Sequence, residues 1–304
     1  MTALVVRRVV RLLVVCVGVS LVTSSILHVS GDPVALMMPE APESDRAVLR
    51  KSMGFDDPLP QQFVRFLANT ATGNFGQSFY HRVPALGLVL ERMPTTLMLT
   101  VLAMALALVV ALPVGIYSAI RRNSTTDHVA TAVVFLGQSM PVFWTGIMLI
   151  LLFAVQWRLL PVSGWESGGS AVLPAITLGT FSAPLLLRIV RSSMLEVISL
   201  DYVRTARAKG VSEWFVICRH ALTNAALPLV TVTGLQFGLL LGGAVITESV
   251  FAIPGVGRLI VDAIRQLDFP VVQAAVFMLA MIVVAVNFIV DMLYMYLNPQ
   301  IRIR

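Results

Sequence analysis

Six long apolar runs dominate this chain, at residues 9–28, 94–120, 129–155, 171–190, 228–250 and 271–297. A helix needs about 20 consecutive apolar residues to cross the hydrocarbon core of a bilayer, and every run is at least that long. Lipid offers the main chain no hydrogen-bond partners, so only helices and closed barrels can span it. Barrel strands alternate apolar and polar residues over about ten positions, whereas these runs are continuous. The expected fold is all-α and polytopic, with six transmembrane helices. Charge content agrees: 12% of residues are charged, against about 25% in a soluble domain.

Orientation follows from where Lys and Arg collect, because short cytoplasmic loops are enriched in them. With the N-terminus inside, the short inner segments carry Arg7, Arg8, Arg11, Arg121, Arg122, Arg204, Arg207, Lys209 and Arg219, with few acids among them. Both termini are therefore expected in the cytoplasm, at the inner or plasma membrane. The net charge of +6 is read as topology, with no nucleic-acid partner. The first run follows basic residues, as a signal peptide would. Its apolar core is too long for one and no clear small-x-small site precedes Gly31, so it reads as a retained anchor. Cys16 and Cys218 have no CxxC spacing and are expected to be two free thiols, with no zinc site.

The long outer segment, about 30–93, holds Leu59, Phe63, Phe66 and Leu67 at helical spacing behind Pro58 and Pro60. That pattern predicts a short amphipathic helix, and residues 73–78 read as a turn-rich connector. Catalytic patterns are missing. Lys51 and Lys209, the two lysines, lie in no P-loop pattern, no H-E-x-x-H or G-x-S-x-G occurs, and His28, His81, His128 and His220 fall in separate segments. The expectation is no catalytic residue, no metal site and no enzymatic activity of the chain alone.

The longest inner loop, about 192–227, contains the run from Asp201 to Gly210. Ala206 and Gly210 are one helical turn apart, so on a continuous helix they share a face where another protein can approach closely. Arg204, Arg207 and Lys209 flank that contact, and Ser199 or Asp201 is placed to cap the helix start. A solvated basic loop carries the same residues, so physics alone leaves both readings open. In the fifth run Gly234, Gly238 and Gly242 recur every four residues, a close-packing pattern that serves either this chain's interior or a second subunit. Gln138, Ser139 and Gln236 are candidates for lining a translocation path, since polar groups within spans face protein or water. Glu248, near the outer end of the fifth run, is a candidate for an outer vestibule. Pro113, Pro141, Pro174 and Pro184 are positions where spans can kink.

The inner-loop residues Arg204-Thr-Ala206-Arg-Ala-Lys-Gly210 and Arg219-His220-Ala-Leu-Thr-Asn224-Ala-Ala-Leu-Pro228 resemble the cytoplasmic signature of bacterial ABC importer permeases. They are most similar to the dipeptide/oligopeptide branch. That branch shares the departures seen here: Arg-Thr-Ala replaces a generic Glu-Ala-Ala opening, and Leu227-Pro228 falls late. Gly31-Asp32-Pro33, Gly73-Asn-Phe-Gly76, Arg92-Met-Pro94-Thr-Thr, Ser139-Met-Pro141, Leu160-Pro161-Val-Ser-Gly164, Glu248-Ser-Val-Phe251-Ala-Ile-Pro254 and Asp268-Phe-Pro270 extend the resemblance along nearly the whole chain.

The resemblance implies a type I ABC importer permease fold. An N-terminal helix and outer segment would cover 1–93 and a permease domain 94–297, with a coupling helix at about 201–217 and a tail at 298–304. It also implies partners: a second homologous permease, two cytoplasmic ATPases or one fused ATPase, an extracytoplasmic substrate-binding protein, surrounding lipid and a peptide substrate. The chain itself would bind no cofactor, with ATP and Mg used by the ATPases. Asp201, Arg204, Ala206, Arg207, Lys209 and Gly210 would meet the ATPase. Related branches carry nickel, glutathione or oligosaccharides, and no metal-ligand cluster favours nickel. A self-sufficient secondary transporter fits less well, because the span centres are almost free of charge and no internal repeat is visible. A non-transporting membrane scaffold is a third class.

Overall fold

The computed structural model describes residues 14, 17, 18, 21, 34, 41–53, 56–166 and 168–297. Ten helices occur among them: α1 (Glu43–Met53), α2 (Leu59–Ala71), α3 (Ala85–Ile120), α4 (Thr125–Ser139), α5 (Val142–Gln156), α6 (Val172–Ile198), α7 (Asp201–Ala208), α8 (Glu213–Val250), α9 (Val256–Arg265) and α10 (Phe269–Leu297). Four of these are long and apolar enough to cross a membrane, or five if α4 and α5 form one bent span. The apolar run at 9–28 and the tail at 298–304 lie almost or wholly outside the described residues.

The helices overrun the apolar runs that announced them. α3 begins at Ala85 rather than 94, α6 continues to Ile198 rather than 190, and α8 begins at Glu213 rather than 228. An apolar run marks what lipid covers, while a helix continues wherever its main chain can still pair. The third run is corrected more sharply. It is two helices bent by 104°, with Met140 extended and Pro141 opening α5. Proline excludes the helical conformation for the residue before it, so the break falls at Met140. Pro184, by contrast, sits inside an unbroken α6.

The chain divides into two compact units. One comprises Thr96–Ile253 with Ala285–Arg304. Its core is α6 packed on α8, α4 and α5, with Leu173, Leu178, Leu186, Leu187 and Met194 of α6 buried beside Leu240 and Ala244 of α8 and Leu99 and Ala103 of α3. The last two turns of α5 and the stretch Val216–Ala221 of α8 are π-helical.

The other unit comprises Met1–Thr95 with Pro254–Val284. In it, α2 starts behind Pro58 with a second proline in its first turn, in line with the expected amphipathic helix. Gly73 and Gly76 take left-handed φ values in the connector that follows. Asp268, between α9 and α10, is buried. Its carboxylate accepts hydrogen bonds from the Ser78 hydroxyl, the Phe79 N–H (3.1 Å) and the Tyr80 N–H (3.4 Å).

Candidate functional site

The site is built around α7. Ser199 does not cap its start: the hydroxyl donates back to the Glu196 carbonyl at 2.7 Å and so closes the end of α6. The residue before α7 is Leu200, which offers no side-chain cap. Asp201 occupies the first turn, where its charge meets the positive end of the helix dipole.

Val203 and Ala206 form the buried side of α7, against Val216 with Val197 and Val211 around them. Polar groups fasten the same helix to the start of α8. The Tyr202 hydroxyl donates to the His220 carbonyl (3.3 Å) and accepts from Asn224 Nδ2 (2.7 Å). Arg207 makes a two-pronged pair with Glu213, Nε to Oε2 at 3.1 Å and Nη2 to Oε1 at 2.7 Å. Glu213 thereby holds the Arg207 guanidinium pKa above its ordinary value. Asp201 and Arg204 form a looser, largely exposed pair at 3.5 Å.

The expectation that Ala206 and Gly210 share one outward helix face is corrected. α7 stops at Ala208, and Gly210 follows with φ +77° and open space beside its α-carbon. The Gly210 N–H donates to the Arg207 carbonyl (2.9 Å) and the Val211 N–H to the Ala206 carbonyl (3.3 Å). This is the double hydrogen bond of a Schellman ending, which requires a left-handed residue at the Gly210 position. Ala206 points inward. The outward surface consists of Asp201, Tyr202, Arg204, Thr205, Arg207, Ala208, Lys209 and Gly210, with Trp214 close in sequence and 78% exposed. A single coupling helix over 201–217 is likewise corrected to α7, a turn, and the first turn of α8.

The remaining candidates separate into enclosed and exposed groups. Gln236 is buried, its Nε2 donating to the Ser182 hydroxyl at 3.1 Å. Glu248 is 0% exposed and accepts from the Thr96 hydroxyl at 2.6 Å. Both are buried in this conformation, and a carboxyl removed from water needs a hydrogen-bond donor such as the Thr96 hydroxyl. Gln138 and Ser139 are exposed at the end of α4. The glycine series also divides. A β-carbon on Gly234 would lie 2.6 Å from Val290, so that glycine admits α10 within this chain, whereas Gly242 is exposed with nothing near it. Gly238 is half-buried.

Among the described residues no group of three or more His, Cys, Asp or Glu side chains is placed to hold a metal, and Cys218 is a free thiol. Tyr202, Asn224, Thr96 and Ser182 were not singled out from sequence, because their partners lie from 18 to 152 residues away.

Residues 111–303 match the family described as binding-protein-dependent transport system inner membrane component, and residues 1–100 match the N-terminal region of the same class of membrane component. The chain belongs to this permease family. The permease is 40% identical over 99% of its length to the dipeptide transport system permease protein DppB of Escherichia coli strain K12, covering 99% of that protein. It is 39% identical over 98% of both chains to the glutathione transport system permease protein GsiC of the same strain. Two chains from inward-facing conformations of the MetNI methionine ABC transporter share the fold at 20% identity, with TM-scores of 0.61 and 0.57. Each match covers 69% of this permease and 96% of the other chain. The permease is therefore an all-α, multi-pass membrane subunit of the ABC importer class.

Proposed function

We propose that this permease carries dipeptides and short peptides inward across the cytoplasmic membrane, driven by ATP hydrolysis in partner subunits that grip α7. The observation that carries the reading is identity to DppB along the full length of both chains. The construction of α7 supports the coupling step. It keeps most of its surface outward while Val203, Ala206, Tyr202 and Arg207 tie it to the first turns of α8. A push on α7 is thereby delivered to a helix that runs unbroken to Val250.

In this reading an ATPase groove receives Asp201, Arg204, Arg207, Lys209 and Gly210, and Ala206 serves from beneath as packing. Two ATPases, separate or fused, use ATP and Mg. A second homologous permease completes the path, with the exposed glycine face at Gly242 available to it and Gln138 and Ser139 facing the substrate route. An extracytoplasmic binding protein delivers the peptide. Six spans with both termini in the cytoplasm place α7 on the ATP side.

The test is uptake of a labelled dipeptide by vesicles carrying the full chain with its partner subunits, against a variant with Arg204→Glu and Lys209→Glu. That pair reverses the outward charge and leaves the Val203–Val216 seat and the Gly210 turn intact. We expect uptake and ATP-hydrolysis coupling to fall together while the amount of permease in the membrane is unchanged. Undiminished uptake, or labelling of Lys209 from the outer side of intact cells, removes the docking reading. A second substrate reading rests on the 39% identity to GsiC: uptake of glutathione in preference to dipeptides assigns the permease to that branch.

A further inference from the structure

Arg188 and Arg191 lie one turn apart on α6 but have different surroundings. The Arg191 Nε and Nη2 donate to Asp127 Oδ1 and Oδ2 at 3.3 and 2.9 Å. Asp127 is 2% exposed and also accepts from the Asn123 N–H (3.1 Å) and the Thr131 hydroxyl (3.3 Å). The charge of Arg191 is thus matched. Arg188 has no such partner: its guanidinium carbon lies over the ring of Phe135, 5.1 Å from the ring centre, and it forms no ion pair among the described residues. Arg188 is exposed, as is His128 across from it on α4.

These side chains line a cleft of about 460 Å³ between α4 and α6. The two helices run antiparallel, with Asp127 beside Arg191 and Gly137 beside Thr180. The cleft is consequently graded along its length. His128, Thr131 and Arg191 lie in the first turns of α4 and near the end of α6, while Phe135 and Leu187 lie a turn deeper. One unmatched positive charge over an apolar floor fits an amphiphile with an anionic head. A free inorganic phosphate would leave Phe135 and Ala132 uncovered. Basic pockets between transmembrane helices recognise lipid headgroups in this way.

We propose that the α4–α6 cleft binds the phosphate headgroup of an anionic phospholipid. Arg188 supplies the charge and hydrogen bonds, and Phe135 with Ala132 the floor for the first methylenes of the chains. The guanidinium is held over the Phe135 ring by cation–π attraction, which places its N–H groups at the mouth of the cleft before a lipid arrives.

The full chain with its accompanying subunits is placed in nanodiscs of phosphatidylcholine containing a graded fraction of phosphatidylglycerol. Retained lipids are then counted by native mass spectrometry. Wild type is expected to retain phosphatidylglycerol preferentially, Arg188→Gln to lose about five-fold of that preference, Arg188→Lys to keep most of it, and Arg188→Glu to reverse it. None of these substitutions touches the Asp127–Arg191 pair, so all are expected to fold. An unchanged preference in both Arg188→Gln and Arg188→Glu overturns the proposal. So does displacement of the retained lipid by millimolar inorganic phosphate, which assigns the site to the free anion.

Discussion

Two short helices outside the long spans, α7 and α9, end in the same hydrogen-bonding motif yet are fastened in opposite ways. α9 closes with the Asp268 N–H donating to the Ala263 carbonyl (2.8 Å) and the Leu267 N–H to the Ile264 carbonyl (3.2 Å). Leu267 takes φ +56° there, a left-handed conformation that costs a residue other than glycine about 1 kcal/mol. What holds it is the Asp268 carboxylate, which ties the turn to the loop at Ser78, some 190 residues earlier. α7 has Gly210 at the equivalent place, unstrained and in open space. Its partners, Val197, Val211, Val216, Glu213, His220 and Asn224, all lie within about two dozen residues of it in the chain. α9 is stapled to distant sequence. Among the described residues α7 is joined to its sequence neighbours, so it can shift with them while its outward face stays free for a partner.

Five substitutions break or sharpen that contrast. The largest effect is expected from Val203→Asp, which places an unpaired charge in the seat of α7 at a cost of several kcal/mol. Peptide uptake and coupled ATP hydrolysis should be lost while the chain still inserts, and retained uptake would mean that the Val203–Val216 contact does not seat the helix. Next, Asp268→Ala strands one hydroxyl and two main-chain N–H groups, a loss of about 1–3 kcal/mol. It should lower the melting temperature and expose residues 78–84 to protease without uncoupling the ATPase from transport. Uncoupling as severe as that of Val203→Asp would erase the distinction between the two helices.

Gly210→Ala should destabilise by about 1 kcal/mol through its left-handed φ. Leu267→Gly should shift the melting temperature far less, because relief of the same strain offsets the freedom glycine adds to the unfolded chain. Smallest is Glu213→Gln. Arg207 and Glu213 are both substantially exposed, so the loss should stay below about 1 kcal/mol and vanish in high salt.

Legibility in the sequence followed the range of the interactions. Apolar runs are local, and five of the six correspond to α3, α4 with α5, α6, α8 and α10. The amphipathic α2 was equally local, announced by Pro58, Leu59 and Phe63. The start of α7 at Asp201 could be read, but its end could not. A glycine four residues after Ala206 looks the same on a continuing helix as at a left-handed ending, and only the Val211–Ala206 hydrogen bond tells them apart. Glu248 could be read as a candidate for an outer vestibule. That it is sealed by Thr96 depends on contact across 152 positions. The clamp at Asp268 was hidden for the same reason. Pro141 was one of four prolines named as possible kinks, and nothing local distinguished it from Pro184, which α6 absorbs.

The elbow between α4 and α5 carries a requirement of its own. Where a membrane helix stops in mid-course, the last carbonyls of one arm and the first amides of the next lose their helical partners, and hydrocarbon cannot replace them. With Met140 extended and Gln138 and Ser139 exposed beside it, the bend has to stay hydrated or be covered by another polypeptide. Where water fills that role, the amide protons at the bend should exchange with solvent deuterium well ahead of those in the unbroken stretches of α6.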